Sequence, residues 1–136
     1  MRKIDFIAVH CTGTQSNTSI KSIIDYWKNT KKWTSPGYHY IIEENGTLTQ
    51  LLSIDMVSNG VRCHNHNTIN VAYIGGLDKG KNYVDTRTAP QKESLLILLK
   101  AIKKEFPHVS IWGHRDFPNV HKSCPCFDAI PEYKNI

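Results

Sequence analysis

Apolar residues along this chain fall into short runs whose period changes from segment to segment, and those changes divide it into elements. Residues 4–11 (IDFIAVHC) have strand length, and alternation puts Phe6, Ala8 and His10 on one face and Ile7, Val9 and Cys11 on the other. Both faces are mostly apolar, so a central strand covered on each side is predicted. Ile20, Ile23, Ile24 and Trp27 then recur at i, i+3, i+4 and i+7, the stripe of an amphipathic helix, with Thr18 or Ser19 available as its cap. Ser35-Pro36-Gly37 breaks the chain. Residues 38–42 and 47–52 flank Glu44-Asn45-Gly46, and Asn-Gly between two such runs signals a hairpin. In the first of these strands Tyr38, Tyr40 and Ile42 share one face while His39 and Ile41 take the other.

Residues 54–67 show no period and read as a long loop, whereas 69–74 (INVAYI) predict another strand, closed by Gly75-Gly76. A polar loop over 78–87 leads to Thr88-Ala89-Pro90-Gln91, a capping box with proline in the first turn. Leu95, Leu98, Leu99, Ile102 and Phe106 supply the buried stripe of the helix that follows, and Pro107 ends it. Residues 109–114 (VSIWGH) predict a short strand, 116–126 an irregular loop, and one helical turn is expected after Phe127. Alternation of this kind predicts an α/β fold: a single domain over 1–136, its central mixed β-sheet covered by helices.

Composition narrows the class. With 136 residues, 40% of them hydrophobic and 21% charged, the chain has enough apolar mass for one ordinary core, which excludes disorder and low complexity. No apolar run approaches the ~18 residues of a membrane span, and the opening MRKIDFIAVH is too interrupted for a secretory signal, so a soluble protein made in the cytoplasm is expected. The formal net charge of +5 favours an anionic partner, yet Lys31-Lys32, Lys79, Lys81 and Lys103-Lys104 are scattered, and no signature of a nucleic-acid-binding module is present. Nucleic acid is therefore not an expected partner. Without an export signal, Cys11, Cys63, Cys124 and Cys126 are expected as thiols.

Open α/β sheets gather ligands at the carboxyl ends of their strands, and His10 and His114 both fall at such ends. Cys124 follows ten residues after His114, in a loop leaving the same edge. Two imidazoles and a thiolate suit a catalytic zinc ion, which takes three protein ligands and keeps a fourth position for water. Cys126 is a possible fourth ligand for a closed site, although Cys-Pro-Cys is tighter than the usual zinc-knuckle spacing. A copper site with a weak methionine fits poorly, because Met1 and Met56 both lie far along the chain from Cys124.

Five short pieces stand in order across nearly the whole chain: Val9-His10-Cys11-Thr12; Gly37-Tyr38-His39-Tyr40-Ile41-Ile42 with Asn45-Gly46; Asn65-His66-Asn67-Thr68-Ile69 with Tyr73-Ile74-Gly75-Gly76; Gly113-His114-Arg115-Asp116; and Lys122-Ser123-Cys124-Pro125 with Phe127-Asp128. In this order and spacing the chain resembles the zinc-dependent N-acetylmuramoyl-L-alanine amidases of the phage lysozyme and peptidoglycan recognition protein type. The resemblance implies that His10, His114 and Cys124 hold one zinc ion per chain and that Tyr38 and Lys122 are two further catalytic positions. The implied reaction is hydrolysis of the amide between the lactyl group of N-acetylmuramic acid and L-alanine of the stem peptide. Tyr38 is then expected to hold the attacking water or relay its proton, and Lys122 to lie beside the carbonyl oxygen as negative charge grows there.

His64, Asn67 and Thr68 are expected to contact substrate, His39 to be structural, and Arg115-Asp116 to orient His114. One departure stands out: Asn59-Gly60 occupies a loop where some members of the family carry a histidine. The implied partner is peptidoglycan or a muropeptide and the expected state a monomer, made without a signal peptide and acting on the cell wall after release or export, as a phage or prophage endolysin or a bacterial lytic enzyme does. Two other classes compete. A non-catalytic peptidoglycan-binding module of the same fold is disfavoured by the presence of Cys124, and a cysteine peptidase using Cys11 or Cys63 is disfavoured by the predicted turn of Cys11 away from His10.

Overall fold

Local sequence signals fix most of the elements in the computed structural model, which describes residues 2–136. Strand β1 (Phe6–Cys11) is followed by helix α1 (Ile20–Asn29), whose Ser19 cap accepts from the Ser22 N–H at 3.1 Å. The hairpin strands β2 (Tyr40–Ile42) and β3 (Leu48–Gln50) come next and are shorter than the apolar runs suggest. The long loop beyond them contains a 3₁₀ turn, Asn65–Asn67, that leads into β4 (Thr68–Tyr73). Helix α2 (Ala89–Glu105), strand β5 (Ser110–Gly113), a 3₁₀ turn at His114–Asp116 and the short helix α3 (Ala129–Glu132) complete the chain.

The sheet order is β3-β2-β4-β1-β5, with β3 antiparallel and the other neighbours parallel. It is the mixed sheet that the alternation predicts. Ile7, Val9, Ile69, Val71, Tyr73 and Ile111 point to the side packed by Leu95, Leu98, Leu99 and Ile102 of α2. On the other side α1 packs Ile23 and Trp27 against Ile41 and Ile74, and Phe117 covers Ala8. Because side chains alternate, this second face also receives His10 and Asn70, so the register that buries Val9 and Val71 delivers the polar residues to the opposite side.

Helix α2 starts on the predicted capping box: Thr88 Oγ1 accepts from the Gln91 N–H at 3.2 Å, and Gln91 Oε1 accepts from the Thr88 N–H at 3.0 Å. Thr88→Ala should cost about 1 kcal/mol in denaturant unfolding, with the slope against denaturant unchanged; an unchanged midpoint would show that packing alone sets this helix start. Among the described residues no helix is long and apolar enough to cross a membrane.

Candidate active site

The register of the parallel β1–β5 pair builds the site. Val9 lies opposite Gly113, so the next residue of each segment, His10 and His114, come side by side at the carboxyl edge with ring centroids 4.6 Å apart. Position 113 has to be glycine: a Cβ there would lie 2.8 Å from Pro125 Cδ, because the segment carrying Cys124 closes directly onto the strand end. That segment is tied at several points. The Arg115 N–H donates to the Cys124 carbonyl at 3.0 Å, Tyr73 Oη donates to the Pro125 carbonyl at 2.6 Å, and the Arg115 guanidinium donates to Asp128 at 2.6 Å. The Cys11 N–H donates to Cys124 Sγ at 3.2 Å.

One ligand atom from each of His10, His114 and Cys124 consequently lies within 4.8 Å of the others, and His10 Nδ1 is 3.8 Å from Cys124 Sγ. Zinc with tetrahedral bonds of about 2.0 to 2.3 Å sets its ligand atoms roughly 3.3 to 3.8 Å apart, so the His10–Cys124 spacing already suits the ion. Protonation of the histidines suits it too. Burial pushes His10 down to about 4, with a smaller push from the Lys122 charge. His114 is pushed down to about 3 by burial, then by His10 and Lys122. Both rings are thus neutral near pH 7, the form that binds a metal ion. Cys126 is not part of the cluster: its Sγ lies 3.8 Å from Cys11 Sγ and 3.6 Å from the Gly76 carbonyl. The cluster that could hold a metal ion is therefore His10, His114 and Cys124.

The cluster opens into a cleft of about 1270 Å³. Tyr26, Trp27, Trp33 and Tyr38 give it an aromatic wall, and Lys31, Arg62 and Lys122 bring positive charge. The Tyr38 ring sits 5.0 Å from the His10 ring, and its hydroxyl donates to the Cys11 carbonyl at 3.4 Å. Burial, and then the neighbouring Cys124 and Cys11, hold the phenol well above its usual range, so Tyr38 stays protonated and is a poor base. Lys122 is exposed at the cleft, and His64 and His121 line it. Cys11 faces the core, away from His10 in the strand, and its contact with Cys124 and its burial push its thiol up, which leaves it unsuited to nucleophilic attack.

Three expectations need correction. Asn67 and Thr68 do not line the cleft: Thr68 is fully buried with Oγ1 donating to the His64 carbonyl at 2.7 Å, and Asn67 Nδ2 donates to Asp5 at 3.0 Å. The reason is topological. Both residues sit at the amino end of β4, whereas the site gathers at the carboxyl ends of the strands. Arg115-Asp116 does not hold the His114 ring either, since Asp116 accepts from the Gly113 N–H at 2.8 Å and Arg115 ties the Cys124 segment.

His39 is fully buried: its Nδ1 accepts from the Asn70 N–H at 3.0 Å and its Nε2 pairs with the Met56 carbonyl at 2.8 Å. Periodicity passes over Asn70, whose Oδ1 lies 2.8 Å from His10 Nε2. The available signal was an amide inside the otherwise apolar run INVAYI, because a buried carboxamide must find partners.

Comparison with known proteins points the same way. The family model for N-acetylmuramoyl-L-alanine amidase matches residues 1–127. The endolysin of Enterobacteria phage K11 is 31% identical over 121 residues, covering 88% of this chain and 79% of the phage protein. The endolysin of Escherichia phage T7 is 30% identical over 126 residues, covering 91% and 82%. Among solved structures, the Ph2119 endolysin from a bacteriophage of Thermus scotoductus superposes with a TM-score of 0.82 at 22% identity, over 97% of this chain and 83% of that one, which is a likeness of fold. With its length matched by the family model and its strand-end histidines and loop cysteine drawn to one rim, the chain belongs to the N-acetylmuramoyl-L-alanine amidase family.

Proposed function

We propose that this protein cleaves peptidoglycan at the amide joining the lactyl group of N-acetylmuramic acid to L-alanine, using one zinc ion held by His10, His114 and Cys124. The observation that carries this reading is the meeting of two neutral imidazoles and one thiol, with ligand atoms within 4.8 Å of one another, in the lining of a large open cleft. Zinc bound there supplies an acidified water and a Lewis acid for the scissile carbonyl. The remaining roles belong to the chain itself. The Tyr38 hydroxyl, held protonated, orients the attacking water by donating or accepting a hydrogen bond. The Lys122 ammonium, two residues before Cys124 and facing the cleft, stabilises negative charge as it develops on the carbonyl oxygen.

Mass spectrometry of digested cell walls tests the bond assignment. Stem peptides with a free L-alanine amino group, beside glycan strands whose sugar linkages are intact, are expected; new reducing ends on the sugars would contradict it. A chelator should stop the release and added zinc should restore it. Tyr38→Phe should lower turnover about 10- to 100-fold and Lys122→Ala about 100-fold, with muropeptide binding retained in both. Unchanged turnover in either variant removes that residue from the mechanism.

A further inference from the structure

His10 is held from behind by a buried polar relay. Its Nε2 lies 2.8 Å from Asn70 Oδ1, and His10, Asn70 and Ser58 are at most 1% exposed, so no solvent substitutes for a missing partner. The direction of this bond follows from fixed backbone donors two steps away. Asn65 Oδ1 accepts from the Gly60 N–H at 3.1 Å and the Val61 N–H at 2.7 Å, which makes that atom an acceptor. Asn70 turns its Nδ2 toward the same oxygen at 3.4 Å and toward Ser58 Oγ at 2.8 Å. Its Oδ1 is then left for His10, and an oxygen acceptor at that distance requires a proton on Nε2. The loop seals the arrangement, since a Cβ at Gly60 would collide with the Asn70 amide.

We propose that Asn70 is a positioning residue for His10: it fixes the Nε2–H tautomer and the ring plane, so that the Nδ1 lone pair faces Cys124 and His114 and is ready for a metal ion. The inference rests on the proposed metal site. Among the described residues no side-chain hydrogen bond holds the His114 ring, so of the two imidazoles it is His10 that is oriented by an amide. Asn70 is fully buried and does not line the cleft, so it acts only through His10. Asn65 Oδ1, held as an acceptor by two backbone N–H groups, fixes which way the amide faces.

The test combines long-range ¹H–¹⁵N NMR of the histidine rings in the metal-free chain with zinc affinity by chelator competition, on wild-type, Asn70→Ala and Asn70→Asp proteins. Wild type should show His10 as the Nε2–H form. Asn70→Ala should show mixed tautomers and bind zinc about 10- to 100-fold more weakly, the usual size for a lost orienting partner. Asn70→Asp, which keeps an acceptor on Nε2, should restore the tautomer and most of the affinity. A purely structural asparagine would lower the melting temperature of both variants alike and leave the zinc affinity of the folded protein unchanged; that result overturns the proposal. If Asn70→Ala does not fold, the wild-type tautomer decides, and an Nδ1–H form overturns it. If no protein binds zinc while the tautomer still depends on Asn70, the positioning role stands and the metal assignment falls.

Discussion

Cys124→Ser protein should fold, retain little zinc, and release stem peptide from cell walls about a thousandfold more slowly than wild type, or slower still. Folding should survive because Cys124 is only half buried and a serine oxygen can still accept the Cys11 N–H that now reaches the sulfur at 3.2 Å. The loss falls on the ion. Removing the thiolate leaves two imidazoles, too few to hold zinc in a three-ligand catalytic site, and both the nucleophile and the polarised carbonyl depend on that ion. Cys126→Ser is the matched control, since Cys126 Sγ lies against Cys11 and the Gly76 carbonyl, outside the donor set. Its zinc content and rate should stay near wild type. Full activity in Cys124→Ser, or equal losses in both variants, would contradict the assignment.

Acid should destabilise the metal-free protein through His39 by up to about 3 kcal/mol. Burial pushes this ring down to about 4, with Arg2 adding to the shift. The tautomer explains the sign: Nδ1 accepts from the Asn70 N–H, so protonating it would turn an acceptor toward a donor inside the core. Below about pH 6.5 the unfolded chain takes up a proton that the folded chain refuses until about pH 4, so stability is full above that window and falls as pH drops through it. His10 and His114 act in the same direction when no metal is bound. Urea unfolding of wild type and His39→Gln in chelator, at several pH values, isolates the His39 share as a difference in slope against pH. Parallel curves would show that His39 accepts its proton without cost.

The parts of the architecture set by local pattern were legible. Both long helices announce themselves through an apolar stripe and a capping side chain, and β1 and β4 through runs with apolar residues on both faces, as a central strand requires. The two histidines were legible because residues at strand ends in a parallel sheet converge on one edge. Lateral order was not. Nothing in the spacing says that β4 lies between β1 and β2. Asn67 and Thr68 fall at the amino end of β4, which runs parallel to β1, and so at the edge opposite the cleft. Asn70 stayed hidden for a related reason. Its meaning comes from a register that aligns it on the His10 face and from a loop, at Ser58 to Asn65, that shows no periodicity. Adjacency in sequence to His114 does not decide where the Arg115 and Asp116 side chains turn: Arg115 reaches Asp128, and Asp116 accepts from the Gly113 N–H.

X-ray absorption at the zinc edge of the purified, dialysed protein tests the central claim most directly. About one zinc per chain is expected, with one sulfur near 2.3 Å and two imidazole nitrogens near 2.0 to 2.1 Å, plus one light atom completing the shell. A shell of two sulfurs would bring Cys126 or Cys11 into the site and close it to catalysis. A shell without sulfur, or a chain that retains no zinc, would contradict the claim that His10, His114 and Cys124 share a single ion.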